Sequence, residues 1–202
     1  MQSGPLIDSD LPAGILLAAG YGRRFDASGA RNKLLQALPD GRTVAWHSAR
    51  TLATALPGAI AVVRPGQPEL ERELSEGGCK VVASARAEAG MGAALAAAVA
   101  ASEQAAGWLV ALADMPWLPV ELVRAVALSI VTPEASAEAI AAPWRDGRRG
   151  HPVAFGPAWR DALLRLDGDE GARALLQGRA VTRILTDHDG AFRDIDTPED
   201  LR

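Results

Sequence analysis

The sequence is poor in cysteine and histidine, and this shortage excludes several kinds of site. The single cysteine, Cys79, allows neither an intramolecular disulfide nor a cysteine zinc cluster. It begins an apolar stretch, where a buried, inert thiol is expected. The three histidines, His47, His151 and His188, are far apart and show no metal-ligand spacing. A cysteine-based or histidine-based metal centre is therefore not indicated.

Excess positive charge and long apolar runs are also absent. The net charge of -4 argues against partners such as nucleic acid or acidic membranes. No apolar run approaches the ~20 residues that span a bilayer. The first residues include Asp8 and Asp10 and no basic segment, so no secretory signal is expected. We therefore expect a cytoplasmic protein with a flexible lead-in over residues 1–12.

Apolar runs of strand length recur along the rest of the chain, with helical patterns between the early ones. A chain of 202 residues is long enough for one well-buried domain, which we place at residues 13–202. Candidate strands are 13–19, 59–63, 80–84, 107–113, 138–142, 151–155, 180–185 and 191–195; candidate helices are 43–56, 68–77 and 92–105. Because the early strands are apolar throughout, they are expected to be buried on both faces. The pattern predicts an α/β fold with a mostly parallel sheet and helices on both sides.

In open parallel sheets, ligands bind outside the carboxyl ends of the strands. This rule selects the loops 19–33, 85–92, 114–119 and 143–151. The first contains Gly20, Gly22 and Arg24 and leads to Lys33. Glycines let backbone N–H groups approach phosphates, and the basic side chains neutralise them, so the loop suits a triphosphate. A tight turn with solvated arginines is the alternative.

Two common nucleotide motifs do not fit this loop. The dinucleotide fingerprint needs a third glycine where Phe25 stands, and an acid after the second strand where Arg64 stands. The P-loop needs Gly-Lys-Ser/Thr, which does not occur. After the fourth strand, Asp114 precedes Pro116, and such an aspartate usually caps a turn or helix. Beside a phosphate loop, Asp114 becomes a candidate Mg²⁺ ligand.

Six segments occur in an order that resembles a known family. They are "LAAGYGRRF" leading to Lys33, "AGMGAAL" (89–95), "LADMP" (112–116), "GRRGHPVAF" (147–155), "GDEGARALL" (168–176) and "DIDTPEDL" (194–201). Together they resemble the MobA-like nucleotidyltransferases, and among these most resemble the molybdenum cofactor cytidylyltransferases. The resemblance covers nearly the whole chain. It implies a three-layer α/β/α, Rossmann-like sheet of the nucleotide-diphospho-sugar transferase type.

The resemblance also implies roles for matching residues. Arg24, Lys33 and Asp114 would be catalytic, and Asp114 and Asp196 would bind the metal, with Asp196 favoured over Asp194. A helix cap in "DTPEDL" is the alternative reading of the last pair. The nucleotide would contact Leu17, Ala18, Ala19, Gly20, Gly22, Arg24, Lys33, Gly90, Met91 and Gly92.

The substrate-binding residues implied by the resemblance are Arg148, Arg149, Gly150, His151, Asp169 and Arg173. The arginines and His151 would hold an anionic pterin phosphate; a solvated arginine pair is the alternative. One departure from the family is Asp26, an acid close to the expected phosphates. It either points outward or weakens triphosphate binding.

The implied reaction transfers CMP from CTP to the terminal phosphate of molybdopterin or the molybdenum cofactor, with Mg²⁺, and releases pyrophosphate. Transient docking to a molybdoenzyme or its chaperone would deliver the product. A guanylyltransferase, or another transferase acting on a small phosphate, is an alternative within the class. A nucleotide-dependent oxidoreductase and a non-catalytic cofactor-binding module are alternatives outside it.

Overall fold

The computed structural model describes residues 11–202. The expected lead-in over residues 1–12 lies almost wholly outside this range and stays a prediction. The strands of the described part are β1 (Ala13–Leu17), β2 (Ile60–Val63), β3 (Lys80–Ala83), β4 (Trp108–Leu112), β5 (Ile140–Arg145), β6 (Arg148–Arg149), β7 (Val153–Phe155) and β8 (Thr182–Leu185). The α-helices are α1 (Val44–Ala55), α2 (Pro68–Glu76), α3 (Met91–Ala100), α4 (Val120–Leu128) and α5 (Arg160–Leu164).

All these strands join one sheet in the order β3-β2-β1-β4-β7-β5-β6, and β8 pairs with β5. The strands β3, β2, β1 and β4 are parallel, with Ile15 opposite both Ile60 and Val110. β7 runs antiparallel to β4 and to β5, while β8 is parallel to β5. The sheet is therefore mostly parallel, as the sequence predicts.

The core lies on both faces of this sheet. Successive side chains of a strand point to opposite faces, and both Ile15 and Leu16 are buried. Leu16 belongs to the apolar cluster that contains Leu52 of α1, together with residues of α2 and α4. Ile15 belongs to the other cluster, which contains Leu95 of α3 and Leu163 of α5. The predicted three-layer α/β/α architecture is confirmed.

Local sequence signals explain several element boundaries. The Thr43 side-chain oxygen accepts a hydrogen bond from the Trp46 N–H and so caps the start of α1. Pro68 begins α2, where its missing N–H costs no helical bond. Asp146 and Gly147, both with positive φ, form the two-residue turn between β5 and β6.

The structure differs from the expectations at several elements. Residues 191–195 are not a strand: a 3-10 turn at Asp189–Ala191 is followed by irregular chain. The helix expected over 92–105 ends at Ala100, after which turns bring the Ser102 hydroxyl back to Ala98 O. The helices α4 and α5 and the short strand β6 were not predicted, although Leu122, Val123 and Val126 of α4 recur at helical spacing. None of the helices in the described part combines the length and apolar character needed to cross a bilayer.

Candidate functional site

A cleft of about 560 Å³ lies at the carboxyl ends of β1 and β4. The loop after β1 forms one wall, and the segment that leads into α3 forms the other. The predicted nucleotide-binding residues that line it are Leu17, Ala18, Ala19, Gly20, Gly22, Arg24, Lys33, Gly90 and Met91. Asp114, Asp169 and Asp196 also face this cleft. Three of the four loops selected by the carboxyl-end rule thus meet at this cavity, whereas the loop 143–151 does not line it.

The loop after β1 curls back on itself at Gly22. This residue has φ +62°, a left-handed conformation that strongly favours glycine. Its carbonyl accepts hydrogen bonds from the N–H groups of Phe25 and Asp26, while the Phe25 side chain is buried in the core. The loop is therefore anchored from below and presents its backbone to the cleft.

Asp26, the acid that departs from the family pattern, stabilises its own loop. Its carboxylate accepts hydrogen bonds from the Ser28 hydroxyl and from the N–H groups of Ser28 and Arg31. These bonds, with that of the Ser28 hydroxyl the strongest, lower the pKa of the Asp26 carboxyl. Asp26 is also absent from the residues that face the cleft. Of the two expectations for Asp26, the structure favours the one in which it points away from the phosphates.

Lys33 lies at the floor of the cleft among oxygen atoms. Its Nζ is 2.5 Å from Asp114 Oδ2, 2.7 Å from the Ile195 carbonyl and 3.7 Å from Asp196 Oδ1. The Lys33 side chain is only 12% exposed. Arg24 is 79% exposed and forms an ion pair with Asp196 from the mouth side. The two predicted catalytic cations are thus held by the predicted metal-binding carboxylates.

Three carboxylates converge at this floor. One oxygen each of Asp114, Asp194 and Asp196 lies within 4.8 Å of the other two. Asp114 Oδ1 is buried and has no hydrogen-bond partner within residues 11–202. Carboxylate oxygens are the ligands that Mg²⁺ and Mn²⁺ prefer, so this donor set fits a divalent cation. The sequence indicated Asp114 and Asp196; the structure brings Asp194 to the same place.

Backbone pairing explains why the two distant acidic segments meet. The Ile195 N–H donates to the Asp114 carbonyl at 2.9 Å, and the Ile195 side chain is fully buried. Ile195 therefore fixes the flanking residues Asp194 and Asp196 against the end of β4. Downstream, Thr197 and Asp200 form a capping box, so the helix cap considered from sequence is also present.

A second group of polar side chains lies beside the carboxylates. His151 is close enough for the charges of Asp114, Asp194 and Arg149 to affect its titration, and its Nδ1 is buried without a partner in the described chain. Burial, and then the charge of Arg149, lower the pKa of His151, which is therefore neutral at pH 7. Desolvation, and then the charge of Arg173, lower the pKa of Arg149. No ion pair in residues 11–202 neutralises Arg149 or Arg173, so their like charges remain available to an anion.

The two adjacent arginines of the β5–β6 hairpin do not act together. Arg149 is paired with Trp144 and Arg148 with Arg145 across the hairpin, so their side chains leave opposite faces. Arg149 is the one that interacts with His151 and Arg173. Gly150 permits close packing, because a Cβ there would collide with the Ala191 carbonyl. Gly150 thus allows the close approach of two backbone segments, and it has no side chain that could bind substrate.

The "GDEG" turn packs against the beginning of α3. The Gly92 N–H donates to the Gly168 carbonyl at 2.8 Å, and Gly92 does not line the cleft. Gly92, which was predicted to contact the nucleotide, therefore lies outside the cleft, and its N–H is already bonded to Gly168. Asp169 faces the cleft beside Gly90, whereas it was predicted to bind the second substrate.

The single cysteine takes no part in the site. Cys79 is buried beneath α1, where its Sγ approaches the Ala49 carbonyl at 3.7 Å. Burial raises the pKa of its thiol to about 12, so the thiolate is not populated at neutral pH. The expectation of an inert, buried thiol is confirmed.

Comparison with known proteins places this fold and site in context. The family model described as "MobA-like NTP transferase domain" matches residues 14–184. The chain is 32% identical over 209 residues to nicotine blue oxidoreductase of Paenarthrobacter nicotinovorans, covering 96% of this chain and 97% of that protein.

Solved structures with the same fold cover nearly the whole chain. A nucleotidyl transferase from Methanothermobacter superposes with a TM-score of 0.77 at 23% identity, covering 94% of each chain. Rv0371c from Mycobacterium tuberculosis H37Rv superposes with a TM-score of 0.76 at 24% identity, covering 93% of each chain, and is also solved in complex with manganese. At these identities the likeness shows the fold alone. With the family model matching most of its length, and a relative above 30% identity over nearly all of it, this chain belongs to the MobA-like NTP transferase family.

Proposed function

We propose that this protein is a Mg²⁺-dependent nucleotidyltransferase that transfers CMP from CTP to the terminal phosphate of molybdopterin or the molybdenum cofactor. The observation that carries the proposal is the convergence of Asp114, Asp194 and Asp196 beneath the glycine-arginine loop, with Asp114 Oδ1 left without a partner in the described chain. A phosphate-binding loop above a cluster of oxygen ligands is what phosphoryl chemistry requires.

The charge balance at the floor supports a requirement for a divalent cation. Within residues 11–202, Asp114 and Asp196 form ion pairs only with Lys33 and Arg24, and Asp194 adds a third carboxylate, which leaves an excess of negative charge where a triphosphate would lie. Asp114, Asp194 and Asp196 would hold the ion, with the remaining ligands supplied by phosphate oxygens and water. When bound, the ion would polarise the phosphoryl group and neutralise part of its charge.

The loop after β1 would bind the triphosphate. Gly20 and Gly22 line the cleft and have no side chains that would keep a phosphate from their backbone N–H groups. In a site that holds a divalent cation, Arg24 and Lys33 would turn from Asp196 and Asp114 to the phosphates. In that position they stabilise the negative charge that develops on the departing pyrophosphate.

The group formed by Arg149, Arg173 and neutral His151 would bind the acceptor. A phosphate monoester dianion offsets the repulsion between the two arginines, and His151 Nδ1 finds a polar partner. The bound phosphate oxygen attacks the α-phosphorus of CTP; the new P–O bond forms as the bond to pyrophosphate breaks. Since that oxygen is already ionised near neutral pH, the protein's task is positioning and charge neutralisation.

The choice of cytidine rests on the resemblance of "LAAG" (17–20) to the cytidylyltransferase branch. A guanylyltransferase uses the same floor and loop and differs only in base recognition. The cytoplasmic location, and delivery of the product by docking to a molybdoenzyme or its chaperone, belong to the same proposal.

A second candidate function has one observation in its favour: the curated relative is named an oxidoreductase. Reduction by a nicotinamide nucleotide would place that cofactor in the same cleft. The loop after β1 lacks the third glycine of the dinucleotide fingerprint, and Arg64 rather than an acid stands directly after β2. A transferase also accounts for the converging carboxylates, for which hydride transfer has no use.

The deciding experiment measures two reactions of the purified protein. Pyrophosphate release is followed with Mg²⁺ and intact molybdenum cofactor for CTP, GTP, ATP and UTP, and NADH and NADPH oxidation is followed with a quinone-like dye. The proposal expects CTP-selective release that Asp114→Asn reduces more than about 100-fold, beyond the loss typical of an outer-shell partner. Asp187→Asn, at an exposed position outside the site, is the matched control. Dye reduction without pyrophosphate release would establish the second candidate instead.

A further inference from the structure

A dinucleotide-binding protein would carry an acid at the position of Arg64. In this fold Arg64 instead contacts the loop after β1. It follows β2 directly, so it lies next to the end of β1 in the parallel sheet. Its Nε donates to the Ala19 carbonyl at 2.9 Å. Its guanidinium carbon lies 3.9 Å from the centroid of the Tyr21 ring. One side chain thus holds the residues on both sides of Gly20.

The contact with Ala19 determines which way the next N–H points. In a planar trans peptide, the C=O and the following N–H point in opposite directions. Because Arg64 holds the Ala19 carbonyl, the Gly20 N–H points away from Arg64. Ala19, Gly20 and Tyr21 line the cleft, whereas Arg64 does not, so Arg64 lies behind this wall. The Gly20 N–H therefore faces the cleft, and it donates to no backbone acceptor in residues 11–202.

The contact with Tyr21 links the same loop to the opposite wall. The Tyr21 hydroxyl lies 3.4 Å from the Glu88 carbonyl, at the segment that leads into α3. Arg23 also lies near the Tyr21 ring, at 5.2 Å from its centroid. Tyr21 is about half exposed, so its orientation depends on these few contacts rather than on core packing. The planar guanidinium of Arg64 is well suited to stack on the ring and donate sideways at the same time.

We infer that Arg64 is a positioning residue of the nucleotide site. It acts through Ala19 and Tyr21 to direct the Gly20 N–H into the cleft, and it does not itself contact the phosphates. The inference rests on the proposed binding of a nucleoside triphosphate in this cleft. In dinucleotide-binding sheets, an arginine near this position binds the 2′-phosphate of NADPH. The inference gives Arg64 a different role.

The first test needs no ligand. Hydrogen–deuterium exchange of the full chain is compared for wild type, Arg64→Met and Arg64→Lys, with Arg50→Met, at an exposed position of α1, as the matched control. We expect both Arg64 variants to speed exchange in residues 18–24 while the melting temperature stays at that of the control. Unchanged exchange in this segment would overturn the positioning role.

The second test measures the consequence for binding. A non-hydrolysable CTP analogue with Mg²⁺ is titrated calorimetrically, and KM and kcat are measured separately. We expect Arg64→Met and Arg64→Lys to weaken binding and raise KM by about tenfold, which corresponds to ~1.4 kcal/mol, with kcat nearly unchanged. Full rescue by Arg64→Lys would instead show a simple charge contact and overturn the inference. Failure of the wild-type protein to bind the analogue would overturn the proposed function. The exchange experiment uses no nucleotide, so it tests the positioning role of Arg64 separately.

Discussion

Lys33 Nζ lies 2.5 Å from Asp114 Oδ2. The lysine that is predicted to bind phosphate is therefore ion-paired with the carboxylate that is predicted to bind the metal. The Lys33 side chain is nearly buried, and the Ile195 carbonyl holds it in place at 2.7 Å. Metal and nucleotide binding should therefore be coupled. A divalent cation held by Asp114 would compete with Lys33 for that carboxylate, and bound phosphates would offer Lys33 a new partner.

Lys33→Met tests this coupling. Removal of a positive charge beside three carboxylates should raise the affinity for Mn²⁺ without nucleotide, by roughly tenfold, because the cation no longer competes. The same change should weaken nucleotide binding. Mn²⁺ affinity is measured by electron paramagnetic resonance with and without a CTP analogue, and Lys80→Met, at the exposed start of β3, is the control. Equal Mn²⁺ affinity in Lys33→Met and wild type would contradict the competition.

Asp194→Asn tests whether the third carboxylate is a metal ligand. Asp194 is exposed and forms no ion pair with Lys33 or Arg24, unlike Asp196. Its loss should weaken Mn²⁺ binding by about tenfold or more while the ion pairs at the floor remain. The same titration measures this effect, with Asp187→Asn as the control. Unchanged affinity would restrict the site to Asp114 and Asp196.

Arg149→Met and Arg148→Met form a matched pair, since the two side chains leave opposite faces of one hairpin. Arg149→Met should raise KM for the phosphate acceptor by about tenfold or more and leave KM for CTP unchanged. It should not destabilise the fold, because it relieves repulsion with Arg173. Arg148→Met should change neither constant. Initial rates at varied acceptor concentration check this, and equal effects of the two substitutions would contradict a specific role for Arg149.

Because the Nδ1 atom of His151 is buried, the free energy of unfolding of the protein should depend on pH. Burial lowers its pKa below 6.5 in the folded state, so below about pH 6.5 the unfolded chain binds a proton that the folded chain does not. Stability should then fall as the pH drops from 6.5 towards the folded pKa, with a slope of at most about 1.4 kcal/mol per pH unit.

The measurement is urea denaturation between pH 5 and pH 8 for wild type and His151→Gln. The difference in unfolding free energy between them should change with pH in this window, because the other titrating groups cancel. His188→Gln, at an exposed histidine, is the control and should follow wild type. A wild-type curve parallel to that of His151→Gln would show that His151 does not contribute.

Sequence patterns predicted the strands best where burial on both faces leaves a continuous apolar run. β1 and β4 are such strands, and their ends fall within two residues of the expected ones. The prediction of a strand over 191–195 was wrong because the backbone of this segment forms single hydrogen bonds to loops, such as the one from the His151 N–H to the Ala191 carbonyl. Ile195 is buried and bonds to the Asp114 carbonyl, a contact that no local pattern reveals.

The sequence by itself determined the α/β architecture, the glycine-arginine loop and the acid after β4, because each depends on residues adjacent along the chain. Tertiary structure alone decided which groups meet. It brought Asp194 to Asp114, separated Arg148 from Arg149, and placed Arg64 behind Gly20. These relationships depend on the register of strands and the packing of loops distant in sequence. The spacing of apolar residues indicates which face of a helix or strand is buried, but it does not indicate which residues that face contacts.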